Sequence, residues 1–311
     1  MTLERVRITD VAPRDGLQNE SAIIPTADKV RLVELLSTSG VDEIEVSSFV
    51  SAKWVPQLGD ATDVFARLGA WAGAGPLYSA LVPNEQGMGA ALSVNERAGR
   101  KLIGKVGVFT AASETFAKKN INATIAESIR RFEPVVAAAH GAGLAVRGYI
   151  SCAIRCPFEG EIAPGKVGSV AQALCDLGVD EIDLGDTIGA GEPETINLML
   201  GGVTSRLGGA ILARLTLHLH DTFGRAAECV REALRLGVRS FDGSVAGLGG
   251  CPYASTPGQR APGNISTEVL VRTIHGAGYE TGVDLDRLGE AAAFASRIVA
   301  AARASAPGAK P

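Results

Sequence analysis

At 311 residues, with 46% hydrophobic and 21% charged side chains, the chain can bury a large core and is not a disordered segment. A formal charge of −4 and a pI near 5.7 argue against a nucleic-acid binder, and no basic patch with interleaved aromatics is present. Five cysteines without framework spacing argue against a disulfide-stapled secreted protein; no apolar run is long enough to span a membrane, and Arg5-Val6-Arg7-Ile8 begins a strand rather than a leader, so a cytoplasmic location is expected.

Short apolar runs alternate with helix-period segments along the chain. Strands are predicted at Val6–Val11, Glu43–Ser48, Leu77–Val82, Ile103–Phe109, Ala145–Ser151, Glu181–Leu184, Leu215–His220 and Ser240–Ala246. Helices are predicted between them at Thr26–Thr38, Ala61–Leu68, Glu85–Arg97, Ile125–His140, Val167–Leu177, Glu194–Leu207 and Phe223–Leu236. Several of these end at Gly40, Gly69, Gly143, Gly178, Gly208 or Gly237, the residue that suits a left-handed helix cap. Eight strands alternating with helices imply an α/β fold, a (β/α)8 TIM barrel. Asn264–Ala277 and Asp284–Arg303 read as extra helices, and Ala304–Pro311 as a frayed tail. The whole chain is expected to be one catalytic domain, because no linker or repeat divides it. A doubly wound sheet competes, but the Gly-rich dinucleotide fingerprint is missing after the first strand.

In such a barrel, chemistry gathers at the C-terminal ends of the strands. The seventh strand, Leu215-Thr216-Leu217-His218-Leu219-His220, alternates at a period of two, which puts both imidazoles on one face. Alone, that pair fits either a hydrogen-bonded polar interior or part of a shell for a divalent cation. Its place at a strand end favours a site. The first strand ends in Arg14-Asp15, a guanidinium beside a carboxylate, which could bind a substrate oxygen and a metal respectively or form a plain ion pair. The second strand ends with Glu45 and Ser48, and alternation points Glu45 inward. The sixth ends at Asp186, and a glycine-rich loop carrying Cys251 follows the eighth. Cys175 and Cys229 read as core residues, Cys152 and Cys156 as a weak metal pair, and His140 and His275 as helix-end residues.

The segments Arg14–Glu20, Ser48–Gln57, Lys118–Asn122, Leu184–Gly189, His218–Thr222 and Gly247–Tyr253 closely resemble the 3-hydroxy-3-methylglutaryl-CoA lyase family, in that family's order and over nearly the whole chain. The resemblance implies a Mg²⁺ or Mn²⁺ ion on Asp15, His218, His220 and Asn264. It implies cleavage of a 3-hydroxyacyl-CoA thioester to acetyl-CoA and a keto acid. Arg14 would stabilise the enolate, Cys251 would take part in proton transfer, and Glu45 and Asp186 would orient the site and assist proton movement. Gln18, Ser48, Arg155 and Phe158 are the expected substrate contacts, and a homodimer is implied. Gly16-Leu17-Gln18 looks like the lyase branch, whereas the isopropylmalate and homocitrate synthases usually carry Gly-Glu-Gln.

Three departures from the family pattern bear on the substrate. The Cys251–Asn264 loop is about four residues longer than usual, which costs little entropy. Ser21 stands where lysine is frequent, and Arg155 and Phe158 stand where Gly and Tyr are usual. Arg155 and Arg260 could add positive charge near the mouth. Either these changes shift acceptance to a larger or more acidic 3-hydroxyacyl-CoA, or they are neutral loop drift; apart from them, a condensing acyl transferase of the isopropylmalate synthase type is a second reading. A non-catalytic metal or CoA binder is a third.

Overall fold

In the computed structural model, which describes residues 3–20, 22–69, 75–250 and 263–305, eight parallel strands close into a barrel. They are β1 (Arg7–Asp10), β2 (Glu43–Ser48), β3 (Leu77–Leu81), β4 (Lys105–Ala111), β5 (Ala145–Ser151), β8 (Glu181–Asp186), β9 (Leu215–Leu219) and β10 (Ser240–Gly243). A small antiparallel hairpin, β6 (Arg155–Cys156) with β7 (Gly160–Glu161), interrupts the connection from β5 to β8. β1 pairs with both β2 and β10, which closes the ring. The expected (β/α)8 architecture is therefore present. Among the described residues, no helix is long and apolar enough to cross a membrane.

The strand period of two sorts residues between two environments. Ile8, Ile44, Val106, Val146, Ile182, Leu215, Leu217 and Phe241 are wholly buried in the hydrophobic core with residues of the surrounding helices. The alternate positions on the same strands carry Thr9, Glu43, Glu45, Lys105, Arg147, Tyr149, Glu181, Thr216, His218 and Asp242, which bond to one another across the barrel, and Asp183, which lies 3.8 Å from Arg147. A barrel interior is usually filled with branched aliphatics; here it is an ionic layer.

The surrounding helices are α1 (Thr26–Ser37), α2 (Ala61–Gly69), α3 (Glu85–Ala98), α4 (Glu114–Ile121), α5 (Ile125–Gly141), α6 (Pro164–Leu177), α7 (Pro193–Leu207) and α8 (Ala226–Arg235). The extra C-terminal helices are α9 (Thr267–Gly276) and α10 (Leu285–Ser305). Five differences from the sequence reading have local causes. Helix α4 was not expected; it starts because the Ser113 hydroxyl accepts the Phe116 amide, an N-cap. Strand β10 stops at Gly243 instead of Ala246, because Val245–Gly247 forms a 3₁₀ turn with Ala246 at φ 58. Helix α8 begins at Ala226 instead of Phe223, its first amide held by the Asp221 carboxylate at 3.0 Å. Gly69 ends α2 inside the helix and takes no left-handed φ. Residues 304 and 305, expected to fray, are the last of α10.

Candidate active site

Strand β1 leaves the barrel through a five-residue π turn, Ala12–Gly16, in which the Gly16 amide bonds to the Val11 carbonyl at 3.1 Å. Buried Asp10 anchors the turn: it accepts the Ala12 amide at 2.9 Å, the Val245 amide at 3.0 Å and the Thr267 hydroxyl at 2.6 Å. The turn brings Arg14 and Asp15 into contact. Arg14 donates from Nη1 to Asp15 Oδ1 at 2.7 Å and from Nε to Glu45 Oε2 at 2.5 Å. Tyr149 donates to the other oxygen of Glu45 at 3.0 Å, so Glu45 is held between β1 and β5. Burial works against the Arg14 charge, but Glu45 and Asp15 outweigh it and keep the guanidinium ionised. Burial would likewise raise Asp15, yet Arg14 and the two histidines hold it well below the usual carboxylate range. For Glu45, burial wins over Arg14 and pushes the carboxyl up.

His218 lies on β9 and His220 one residue beyond its end, and the two rings meet on the same side, as the alternation predicted. Their rings are 5.3 Å apart, and their Nε2 atoms face each other at 3.3 Å. Two ring nitrogens at that distance need a proton or a cation between their lone pairs. Burial and the neighbouring His218 push His220 down to about 4. His218 goes the other way: burial would lower it, but its hydrogen bond to Asp242 and the charge of Asp15 raise it.

Asn264 reaches this pair because its segment runs antiparallel to the end of β9. Asp221 donates to Gly263 at 3.0 Å, Ile265 donates to Leu219 at 2.9 Å, and His220 pairs with Asn264 in an isolated bridge. Asn264 Nδ2 donates to Asp15 Oδ2 and to the Leu248 carbonyl, each at 2.9 Å. Gly249, at φ +105, lies so close that an added Cβ would stand 2.6 Å from Asn264 Nδ2. Only glycine fits there.

Asp15, His218 and His220 each offer a ligand atom, all within 4.8 Å of one another. Among the described residues, the buried amide oxygen of Asn264 has no hydrogen-bond partner, although its nitrogen is fully used. A buried acceptor of that kind is costly unless something binds it. One carboxylate, two imidazoles and a free amide oxygen fit a small divalent cation with an oxygen preference.

The other expected site residues are dispersed. Ser48 is buried and donates to the Leu81 carbonyl at 3.3 Å, while Gln18 is half-buried on the segment after the π turn. Arg155 is exposed on β6, and Phe158 packs 6.3 Å from Phe116 with Lys119 Nζ 4.9 Å from its ring centre. Asp186 accepts the Ala190 amide at 3.0 Å and the Gly191 amide at 2.7 Å, so it holds the loop after β8. Burial outweighs those amides and raises it to about 6. Cys251, Arg260 and most of the long loop fall outside the described residues. Cys229 is buried as expected and Cys175 packs partly buried against the core. Cys156 bonds to Ser113 Oγ at 3.0 Å instead of joining a metal cluster. His140 and His275 do sit in last helical turns, but their rings meet Asp180 and Thr281 at 3.1 and 2.9 Å.

Sequence reasoning missed Tyr149, Arg147, Asp183 and Asp242. Their signal was present, since each occupies an inward position at the period of two. Attention to the strand ends passed over these positions further inside the barrel.

A family model described as HMGL-like matches residues 5–295. The chain belongs to the HMGL-like family. Proteins of this family depend in general on a divalent metal, and the cluster of Asp15, His218 and His220 is a possible site for one in this member. This HMGL-like chain is 48% identical over 291 residues to the mitochondrial hydroxymethylglutaryl-CoA lyase of Pongo abelii, covering 94% of this chain and 85% of that protein. It resembles the crystal structure of the HMG-CoA lyase from Brucella melitensis with a TM-score of 0.87 and 46% identity, covering 96% of this chain and 99% of that one. An HMG-CoA lyase from Acinetobacter baumannii, in complex with coenzyme A and 3-methylmalate, aligns with a TM-score of 0.84 and 34% identity, over 95% and 92% of the two chains.

Proposed function

We propose that this chain is a divalent-cation-dependent carbon–carbon lyase that cleaves 3-hydroxy-3-methylglutaryl-CoA to acetyl-CoA and acetoacetate. The observation that carries this reading is the convergence of Asp15, His218, His220 and the unpartnered oxygen of Asn264 beside an ionised Arg14. Family membership and a relative's complex with coenzyme A support an acyl-CoA substrate.

Asp15, His218, His220 and Asn264 would hold Mg²⁺ or Mn²⁺. When bound there, such an ion would supply Lewis acidity that makes the substrate hydroxyl easier to deprotonate. The hydroxyl gives up its proton and the C2–C3 bond breaks. Its electron pair passes to the thioester as an enolate, C3 keeps its oxygen as a ketone, and C2 takes up a proton to complete acetyl-CoA. Arg14 stabilises the enolate oxygen, with its aim fixed by Glu45. Glu45 and Asp186 orient the site and assist proton movement: Glu45 through Arg14 and Tyr149, Asp186 through its loop and an acidity of about 6. Cys251 takes the proton-transfer role on its sequence motif alone. Buried free thiols at Cys156 and Cys229 suit a reducing compartment, so a cytoplasmic setting belongs to the same proposal, as does a homodimer.

The test is a panel of 3-hydroxyacyl-CoA thioesters, each assayed with and without EDTA. Cleavage of the methylglutaryl thioester, abolished by EDTA and restored by Mg²⁺ or Mn²⁺, is expected. Preference for a larger or more acidic analogue would move the substrate assignment and point to the exposed Arg155. Release of free CoA from acetyl-CoA plus a keto acid, without cleavage, would replace the lyase with a condensing enzyme.

A further inference from the structure

We propose that Asp242 is the positioning residue that locks His218 with its Nε2 turned toward the cation site. The inference rests on the reading of Asp15, His218 and His220 as that site. Asp242 and His218 are register partners on neighbouring strands β10 and β9. Asp242 Oδ2 lies 3.2 Å from His218 Nδ1, and its other oxygen accepts Arg147 Nη1 at 3.0 Å. Arg147 cannot swing away. Its other terminal nitrogen bonds to Thr9 at 3.1 Å, Glu43 at 3.3 Å and Glu181 at 2.8 Å, and its side chain is almost fully buried. The Asp242 carboxylate is thus clamped at both ends, one oxygen on a fixed guanidinium and one on an imidazole.

An imidazole engaged at Nδ1 has only Nε2 left, and His218 Nε2 is the atom that faces His220. A carboxylate behind a ligating histidine fixes both the tautomer and the ring orientation. Asp183 crowds the same place: a carboxyl oxygen from it and from Asp242, and one nitrogen of His218, lie within 4.8 Å of one another. That second cluster is not a second cation site, because Arg147 already stands 3.0 Å from Asp242 and 3.8 Å from Asp183. The same buried cation that excludes a second ion holds Asp242 in line with His218.

The experiment measures Mn²⁺ binding by EPR titration in the full-length wild type, Asp242→Asn, Asp183→Asn and His220→Ala, with thermal unfolding of each. The wild type should bind Mn²⁺, and His220→Ala should lose it. Asp242→Asn should bind roughly 10–100-fold more weakly, the usual cost of removing such a partner. Asp183→Asn, which alters the same crowded cluster without removing a hydrogen bond to His218, should stay within about threefold of wild type. If the wild type itself binds no Mn²⁺, the cation-site reading falls. If the wild type binds and Asp242→Asn matches it, or Asp183→Asn weakens binding equally, the role of Asp242 falls. Should Asp242→Asn not fold, ¹⁵N-histidine NMR of the Mg²⁺-loaded wild type decides. A slowly exchanging proton on His218 Nδ1 supports the proposal, and a proton on Nε2 overturns it.

Discussion

Two layers of buried polar side chains share the barrel axis, and they satisfy their charges differently. Deeper in, Lys105 bridges Glu43 and Glu181, while Arg147 reaches Glu43, Glu181, Asp242 and, at 3.8 Å, Asp183; two fixed cations stand among the carboxylates around them. At the mouth, Arg14 answers Asp15 and Glu45, but two imidazole nitrogens face each other and an amide oxygen has no partner among the described residues. The deeper layer brings its own counter-charges from five strands. The upper layer collects lone pairs. Buried polarity by itself therefore does not mark a site; the difference lies in whether acceptors converge on one point with protein donors left too few.

Four substitutions can break that contrast, taken from the largest expected effect down. Asp15→Ala at the mouth should lower kcat/KM on the methylglutaryl thioester by on the order of 10³-fold or more, with little change in thermal midpoint. A parallel collapse of folding would show that the mouth is structural like the layer below. Arg147→Met in the deeper layer should cost about 3–5 kcal/mol in urea unfolding, because four carboxylates lose their shared cation. A loss below about 1 kcal/mol would mean that the layer is not held by its charges.

The third prediction concerns acid. Burial would raise Glu181, but Arg147 and Lys105 outweigh it and hold it at about 2, below the ordinary 4.5. Its ionised form is therefore favoured by folding: the stabilisation is complete above pH 4.5 and is lost as pH falls towards 2. Glu181→Gln should be less stable at pH 7 and show a shallower decline across that window in urea titrations at stepped pH. Parallel curves for variant and wild type would assign the acid sensitivity elsewhere. Smallest is Gly249→Ala, where a Cβ meets Asn264 at φ +105; a loss of about 1–3 kcal/mol is expected. An unchanged melting curve would show that Asn264 can yield.

How far the site could be read from the chain varied with the kind of signal. His218 and His220 were visible because their separation equals the strand repeat, and Arg14 with Asp15 because they are adjacent. Asn264 came from family resemblance; in the fold, an antiparallel bridge sets it beside His220. Asp242 and Tyr149 were not singled out. Their partners lie far along the chain: Arg147 to Asp242 spans 95 positions, and Tyr149 to Glu45 spans 104. No local spacing encodes such a pair.

By itself, the sequence determined the alternation of strand and helix and the face on which each side chain falls. Hydrophobic periodicity is a local property of the backbone geometry. Only the closed barrel decided which inward faces meet. Closure brings strands distant in sequence to one axis, and there the strand register sets Asp242 against His218 and the π turn sets Asp15 beside Asn264. It also decided that the interior is ionic, because a lysine on one strand is tolerable inside a barrel only when carboxylates from others arrive beside it.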